Sequence, residues 1–174
     1  NKINNLLPQQ IKNNFLDSVS KIKVLLSRYF IGISVQIFSL FVLYSIMLSI
    51  IGIKNALVIA FLCALLNIIP YIGPLISIVL MAILTMTNYI DSMLIKEMLS
   101  KVGYIFIGFS IVQLIDNFLI QPYIFSKSVK SHPLEVFIVI ISSGILFGII
   151  GLIIAIPLYT ALKVIYFSYS GKEA

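Results

Sequence analysis

The sequence predicts an all-α integral membrane protein, and three observations carry that prediction. Of its 174 residues, 60% are hydrophobic and only 10% are charged, and the mean hydropathy is +1.12. No soluble domain of this size can hide so much apolar surface, so lipid must be its solvent. Long stretches carry no charge at all, from Tyr29 to Ile53 and again from Asn55 to Ile90. The lysines lie in short segments between the apolar runs, where positive charge sets membrane orientation. The net charge of +6 therefore does not indicate a nucleic-acid partner, which would need a basic face interleaved with stacking aromatics.

Residues 1–28 read as an amphipathic juxtamembrane helix. Ile11, Phe15, Val19, Ile22 and Leu26 recur at steps of three and four, with Asn14, Asp17, Lys21 and Lys23 mostly elsewhere, and Pro8 fits the first turn. A transmembrane domain follows over 29–168, and 169–174 form a polar tail. Its first run, Tyr29 to Ile53, reaches roughly 37 Å as helix, enough to cross a hydrocarbon core of about 30 Å. Ser34, Ser45 and Ser49 fall close together on a helical wheel and suit close helix packing.

The next run contains "IIPYIGP" at 68–74, which no continuous membrane helix accommodates. The part up to Pro70 reaches only roughly 24 Å, and the part after Pro74 is similarly short. Backbone left unpaired in lipid must be satisfied by protein or water. The element is therefore either a re-entrant helical hairpin or two short tilted spans. Asn67 and Tyr71 would offer side chains at the break, which Pro70, Gly73 and Pro74 shape. A third run extends from Val102 to about Phe125, and a last one from Val136 to Leu162 is interrupted by Gly144, Gly148, Gly151 and Pro157.

The order is span, broken element, span, broken element, with the broken elements beginning about 80 residues apart. If each broken element returns to the side it left, the chain has the parity of an inverted repeat. One side then carries Lys12, Lys21, Lys23, Arg28, Lys127, Lys130, Lys163 and Lys172, and the other Lys54, Lys96 and Lys101. The positive-inside rule puts both ends in the cytoplasm. The sequence opens on Asn1 rather than Met, with no signal-peptide pattern, and reads as the C-terminal part of a longer protein.

The third run holds the chemistry. Ser110, Gln113, Asn117 and Gln121 align at helical steps with Asp116 on the same broad face. An Asp near a helix centre costs roughly 2.5–3.5 kcal/mol on insertion scales, while each large aliphatic returns only about 0.3–0.6. Such a carboxylate marks a proton, cation or substrate site, or else a polar network that locks helices together. The single Cys63 has no partner for a disulfide, and no zinc, phosphate-loop or nucleophile motif occurs. Neither an enzyme nor a metal or cofactor site is expected. His132, before Pro133, reads as a helix-start residue, with Glu135 in the first turn where the helix dipole favours an acid.

Three segments, "NIIPYIGPLI" at 67–76, "QLIDNFLIQPYIFSKSVKSHPLEV" at 113–136 and "GILFGIIGLIIAIPLYTALK" at 144–163, resemble the autoinducer-2 exporter family of bacterial permeases, in that family's order and rough spacing. The resemblance covers most of the chain after Asn55. It implies a multi-span inner-membrane protein that works as a homo-oligomer and moves a small molecule such as autoinducer-2, and some relatives are thought to exchange cations for protons. Tyr123, Ser126 and Ser77 depart from the family's usual residues. Three functions follow as expectations: an ion-coupled exporter of a small polar molecule, a sodium (lithium)–proton antiporter, or a non-transporting scaffold. In the first two, Asp116 is the ion-coupling or substrate-binding group, and Asn67, Gln113, Asn117 and Gln121 with the two broken elements form the path.

Overall fold

A computed structural model describes residues 9–87, 95–121 and 132–170. Pro8, the connections at 88–94 and 122–131, and the tail from Gly171 lie outside the described residues. Among the described residues every regular element is helical: α1 (Gln9–Ile51), α2 (Ala56–Leu66), α3 (Ile72–Thr87), α4 (Ile95–Ile115) and α5 (Pro133–Ser170), with a π-helical turn at Asp116–Ile120 extending α4. The chain divides into two compact units. One holds α1 up to Ile31 together with α5, and the other holds α1 from Gly32 together with α2, α3 and α4.

Within the second unit, α1 turns a stripe of Gln36, Leu40, Tyr44 and Leu48 inward at four-residue steps. Leu40, Tyr44 and Leu48 pack with Ala60, Cys63 and Ala64 of α2 and Ile105 and Phe109 of α4 in one apolar cluster. Small residues on α2 let the helices approach closely, as membrane interfaces require. Of the three serines, Ser34 and Ser49 are exposed, while the Ser45 hydroxyl is buried. α1 ends in a Schellman-type cap: Gly52 takes φ 76, the Ile53 N–H bonds the Leu48 carbonyl at 3.0 Å, and Ile53 itself is buried. The Lys101 ammonium from α4 donates to the Ile51 carbonyl at the same helix end, where the dipole favours a cation.

α2 and α3 form a helical hairpin whose arms pack side by side. Ser77 Oγ donates to the Cys63 carbonyl at 2.9 Å, and the Cys63 thiol donates back to the Ser77 carbonyl at 3.6 Å. These residues, fourteen apart in sequence, lie side by side only if the arms run antiparallel. At the turn, Tyr71 adopts φ 65, and the Gly73 N–H bonds the Ile69 carbonyl at 2.8 Å. Gly73 is needed for close approach, because a Cβ there would collide with the Leu66 carbonyl and lie 2.8 Å from the Asn67 Cα. Pro74 falls in the first turn of α3, where a missing N–H costs little. The arms of 11 and 16 residues reach about 16 and 24 Å, so neither crosses a bilayer core alone.

The last element is also folded back on itself, in the other unit. Gly148 has φ 63 and ψ −143, a conformation that only glycine takes without strain. In a continuous helix Glu135 and Tyr159 would stand about 36 Å apart, yet the Tyr159 hydroxyl donates to Glu135 at 2.6 Å. Lys163 reaches the same carboxylate at 3.6 Å. Of the four residues expected to interrupt this run, only Gly148 does so. Pro157 lies within helix, and Gly144 and Gly151 are helical positions that face the opposing arm at Leu152 and Ser143. As the sequence indicates, His132 starts the helix: its ring Nδ1 accepts from the Leu134 N–H at 3.3 Å and its carbonyl from the Glu135 N–H at 2.9 Å.

Leu16–Ile51, Ile95–Ile120 and Leu134–Phe167 are long and apolar enough to cross a membrane by length and composition. The third is bent at Gly148, so its length is not available as one straight rod. The exposed faces are aliphatic and aromatic, with Phe30, Phe38, Ile46, Ile107 and Phe118 among them, as lipid contact demands.

Gly73→Ala is expected to lower the melting temperature of the detergent-solubilised protein by several degrees. Gly103→Ala, whose Cβ would meet nothing within 4 Å, should leave it unchanged or slightly raised through helix propensity. Equal melting of the two variants would contradict the close approach at the α2–α3 turn.

Candidate functional site

The site grows from a local irregularity at the C-terminal end of α4. From Asp116 to Ile120 the backbone widens into a π turn, and the Gln121 N–H bonds the Asp116 carbonyl five residues back. On a regular α-helix residues five apart diverge by about 140°. The π turn closes most of that gap and lays the Gln121 amide over the Asp116 carboxylate, where Nε2 donates to Oδ2 at 2.7 Å. Such single-turn irregularities recur at functional sites.

Asp116 is completely buried. Its second partner comes from α1: Gln36 Nε2 donates to Oδ1 at 3.1 Å and to Oδ2 at 3.0 Å. Both partners are neutral amides. Among the described residues no Lys, Arg or His pairs with this carboxylate. An ionised carboxylate is an acceptor-only group, and two or three N–H donors suit it. The amide donors suit an ionised carboxylate, and among the described residues no cationic side chain is there to compensate its charge.

A second cluster adjoins it. The Tyr44 ring is fully buried and stacks on Phe109, with centroids 5.6 Å apart and planes 5° from parallel. Its hydroxyl donates to Gln113 Oε1 at 3.3 Å, and the Asn67 side chain lies near it. The buried Asn67 amide donates to the Cys63 carbonyl at 2.8 Å and to Ser77 Oγ at 3.3 Å. Polar groups thus run from the α2–α3 turn, through α1, to the π turn.

Among the expected site residues, Asn67, Gln113, Asp116, Asn117 and Gln121 join this network. Asn117 is exposed and accepts from Gln121 Nε2 at 3.1 Å. Pro70, Tyr71, Gly73 and Pro74 shape the turn of the α2–α3 hairpin. Ser110 does not belong to the stripe, because its exposed hydroxyl bonds its own helix at the Phe106 carbonyl, 2.7 Å away. Gly144, Gly148, Gly151 and Pro157 lie in the α5 hairpin, which belongs to the other unit. Sequence reasoning missed Gln36 and Tyr44. The available signal was a lone amide in an uncharged run, with Leu40, Tyr44 and Leu48 following at four-residue steps.

The family described as "AI-2E family transporter" matches the chain over residues 1–171. Two proteins of Bacillus subtilis (strain 168) are similar to it. "Putative transport protein YueF" is 31% identical over 115 residues, covering 66% of this chain and 29% of that protein. "Putative transport protein YrrI" is 29% identical over 113 residues, covering 65% of this chain and 30% of that protein. The matched part of the chain spans under a third of the length of these relatives. No solved structure matches it.

Gln36→Leu leaves the buried carboxylate one partner short and is expected to cost about 1–3 kcal/mol, read by denaturant titration in micelles. Gln36→Leu combined with Asp116→Leu should be less destabilising than Gln36→Leu alone, since no buried charge is then left under-bonded. A simple sum of two losses would contradict the pairing.

Proposed function

The chain belongs to the AI-2E transporter family, and on that premise we propose that it forms part of a secondary transporter that exports a small polar molecule such as autoinducer-2, with Asp116 as the ion-coupling group. One observation carries the reading: a fully buried carboxylate whose partners are neutral amides. A site that only glued helices together would be better served by a cation or by apolar packing. A charge held but not neutralised is free to receive a cation or proton from solution. Gln36 and Gln121 suit that task because an amide can turn its N–H to a bare carboxylate or its C=O to a bound cation.

In this reading the two hairpins are re-entrant elements at membrane depth. The segments containing them form the two halves of an inverted repeat. The protein sits in the bacterial inner membrane with both ends of this segment in the cytoplasm, and it assembles as a homo-oligomer. A second reading, a sodium (lithium)–proton antiporter, rests on the same buried acid, with Gln36 and Gln121 turning their C=O groups to the cation. It places the same residues in the same roles and changes only the cargo.

The test uses the full-length parent protein in proteoliposomes under an imposed proton gradient. Gradient-driven autoinducer-2 flux is expected from the native protein and background flux from Asp116→Asn. Native-level flux in Asp116→Asn would overturn the assignment of Asp116. Sodium flux in place of autoinducer-2 flux would select the antiporter, and no flux of either would leave a scaffold.

A further inference from the structure

We propose that the π turn is a gate over Asp116: cargo reaches the carboxylate when the turn relaxes to regular α-helix and Gln121 withdraws to Asn117. The inference rests on reading Asp116 as the ion-coupling group, and it adds how that group is reached. Asp116 is completely buried, so a covering side chain must move before anything binds to it. Gln36 covers it from α1 and is itself buried. Gln121 covers it from its own helix, is only half-buried, and is bonded in turn to the exposed Asn117. The way out from the carboxylate therefore passes Gln121.

The side-chain bond itself holds the turn. Of its five residues only Asp116 is buried, and Phe118 and Leu119 are exposed, so packing does not impose the irregularity. Nor does "DNFLI" contain the glycine or proline that commonly distorts a helix. What remains is the charge-assisted bond from Gln121 to a bare carboxylate. The Gln121 amide has two acceptors: Asp116 Oδ2, five residues back at 2.7 Å, and Asn117 Oδ1, four residues back at 3.1 Å. A spacing of five needs the π turn, whereas a spacing of four is one that a regular α-helix brings together. Relaxation thus breaks the first bond and keeps the second, which leaves the withdrawn amide satisfied. Gln36, on another helix, stays in place throughout. A returning Gln121, its C=O turned to a bound cation, closes the site again.

Two variants of the full-length protein drive the gate in opposite directions. Deleting the exposed Leu119 removes the extra residue of the turn and sets the glutamine four residues after Asp116, where a regular helix holds it over the acid. Gln121→Ala removes the cover. Access is read by mass spectrometry as the rate at which a water-soluble carbodiimide couples an amine to Asp116. The rate is expected to fall about tenfold in the deletion and to rise about tenfold in Gln121→Ala, the worth of one hydrogen bond to a charged group. Both variants remove the π turn, so a turn that serves the fold alone predicts shifts of the same sign, or none. Either result would overturn the inference. If the deletion does not fold, Gln121→Ala decides by itself, and an unchanged rate there overturns it. The assay reads access and not coupling: native-level flux in Asp116→Asn removes the ion-coupling role whether or not the carbodiimide rates diverge.

Discussion

A carboxylate inside an apolar helix bundle must be hydrogen-bonded, and the second unit of this chain is arranged around meeting that demand. Asp116 takes one amide from α1 and one from its own helix. The first fixes which face of α1 turns inward, and with it the Leu40, Tyr44 and Leu48 stripe that packs on α2 and α4. The second requires a π turn, because a regular helix would carry Gln121 away from the acid. The apolar cluster supplies the packing, but the buried acid constrains its register. A slip of α1 by one residue would leave the buried Gln36 amide without its partner and strip Asp116 of one of its two amides, a larger penalty than the loss of any single aliphatic contact.

The same logic of satisfaction governs the hairpins. A chain reversal between helices leaves N–H and C=O groups that apolar surroundings cannot satisfy. In the α2–α3 hairpin the reversal is closed by backbone bonds around Ile69 and Gly73 and by side chains of Asn67, Ser77 and Cys63 on the opposing arm. In α5 a single glycine turns the chain, and the arms are joined farther along by Glu135, Tyr159 and Lys163. The first device is buried and polar at its turn. The second is apolar at its turn, where Ile145, Leu146, Phe147, Ile149 and Ile150 are all exposed.

Much of this was legible in the sequence, and the gaps have physical causes. Apolar runs without charge announced the helices, the two prolines around Gly73 announced the first break, and the cost of Asp116 in such a run marked it for attention. Gln36 and Tyr44 escaped because a partner 80 or 69 residues away is set by tertiary packing, which periodicity within one helix does not report. The π turn escaped for a related reason: "IDNFLI" carries the same apolar pattern whether its backbone is α or π. Pro157 was over-read as a break. Proline is tolerated within membrane helices when neighbouring groups satisfy the freed carbonyl, whereas the backbone angles at Gly148 admit glycine alone.

The central claim is that the polar network around Asp116 opens to water and cargo rather than being sealed inside lipid and protein. The most direct measurement is labelling of Asn117→Cys, placed in a full-length protein free of other reactive thiols, with a hydrophilic, membrane-impermeant thiol reagent. Phe106→Cys, at an exposed apolar position on the same helix, is the comparison. The account predicts that Asn117→Cys is labelled from water and that Phe106→Cys is protected by lipid. Equal protection of both positions would contradict it and would leave the buried acid as a structural feature alone.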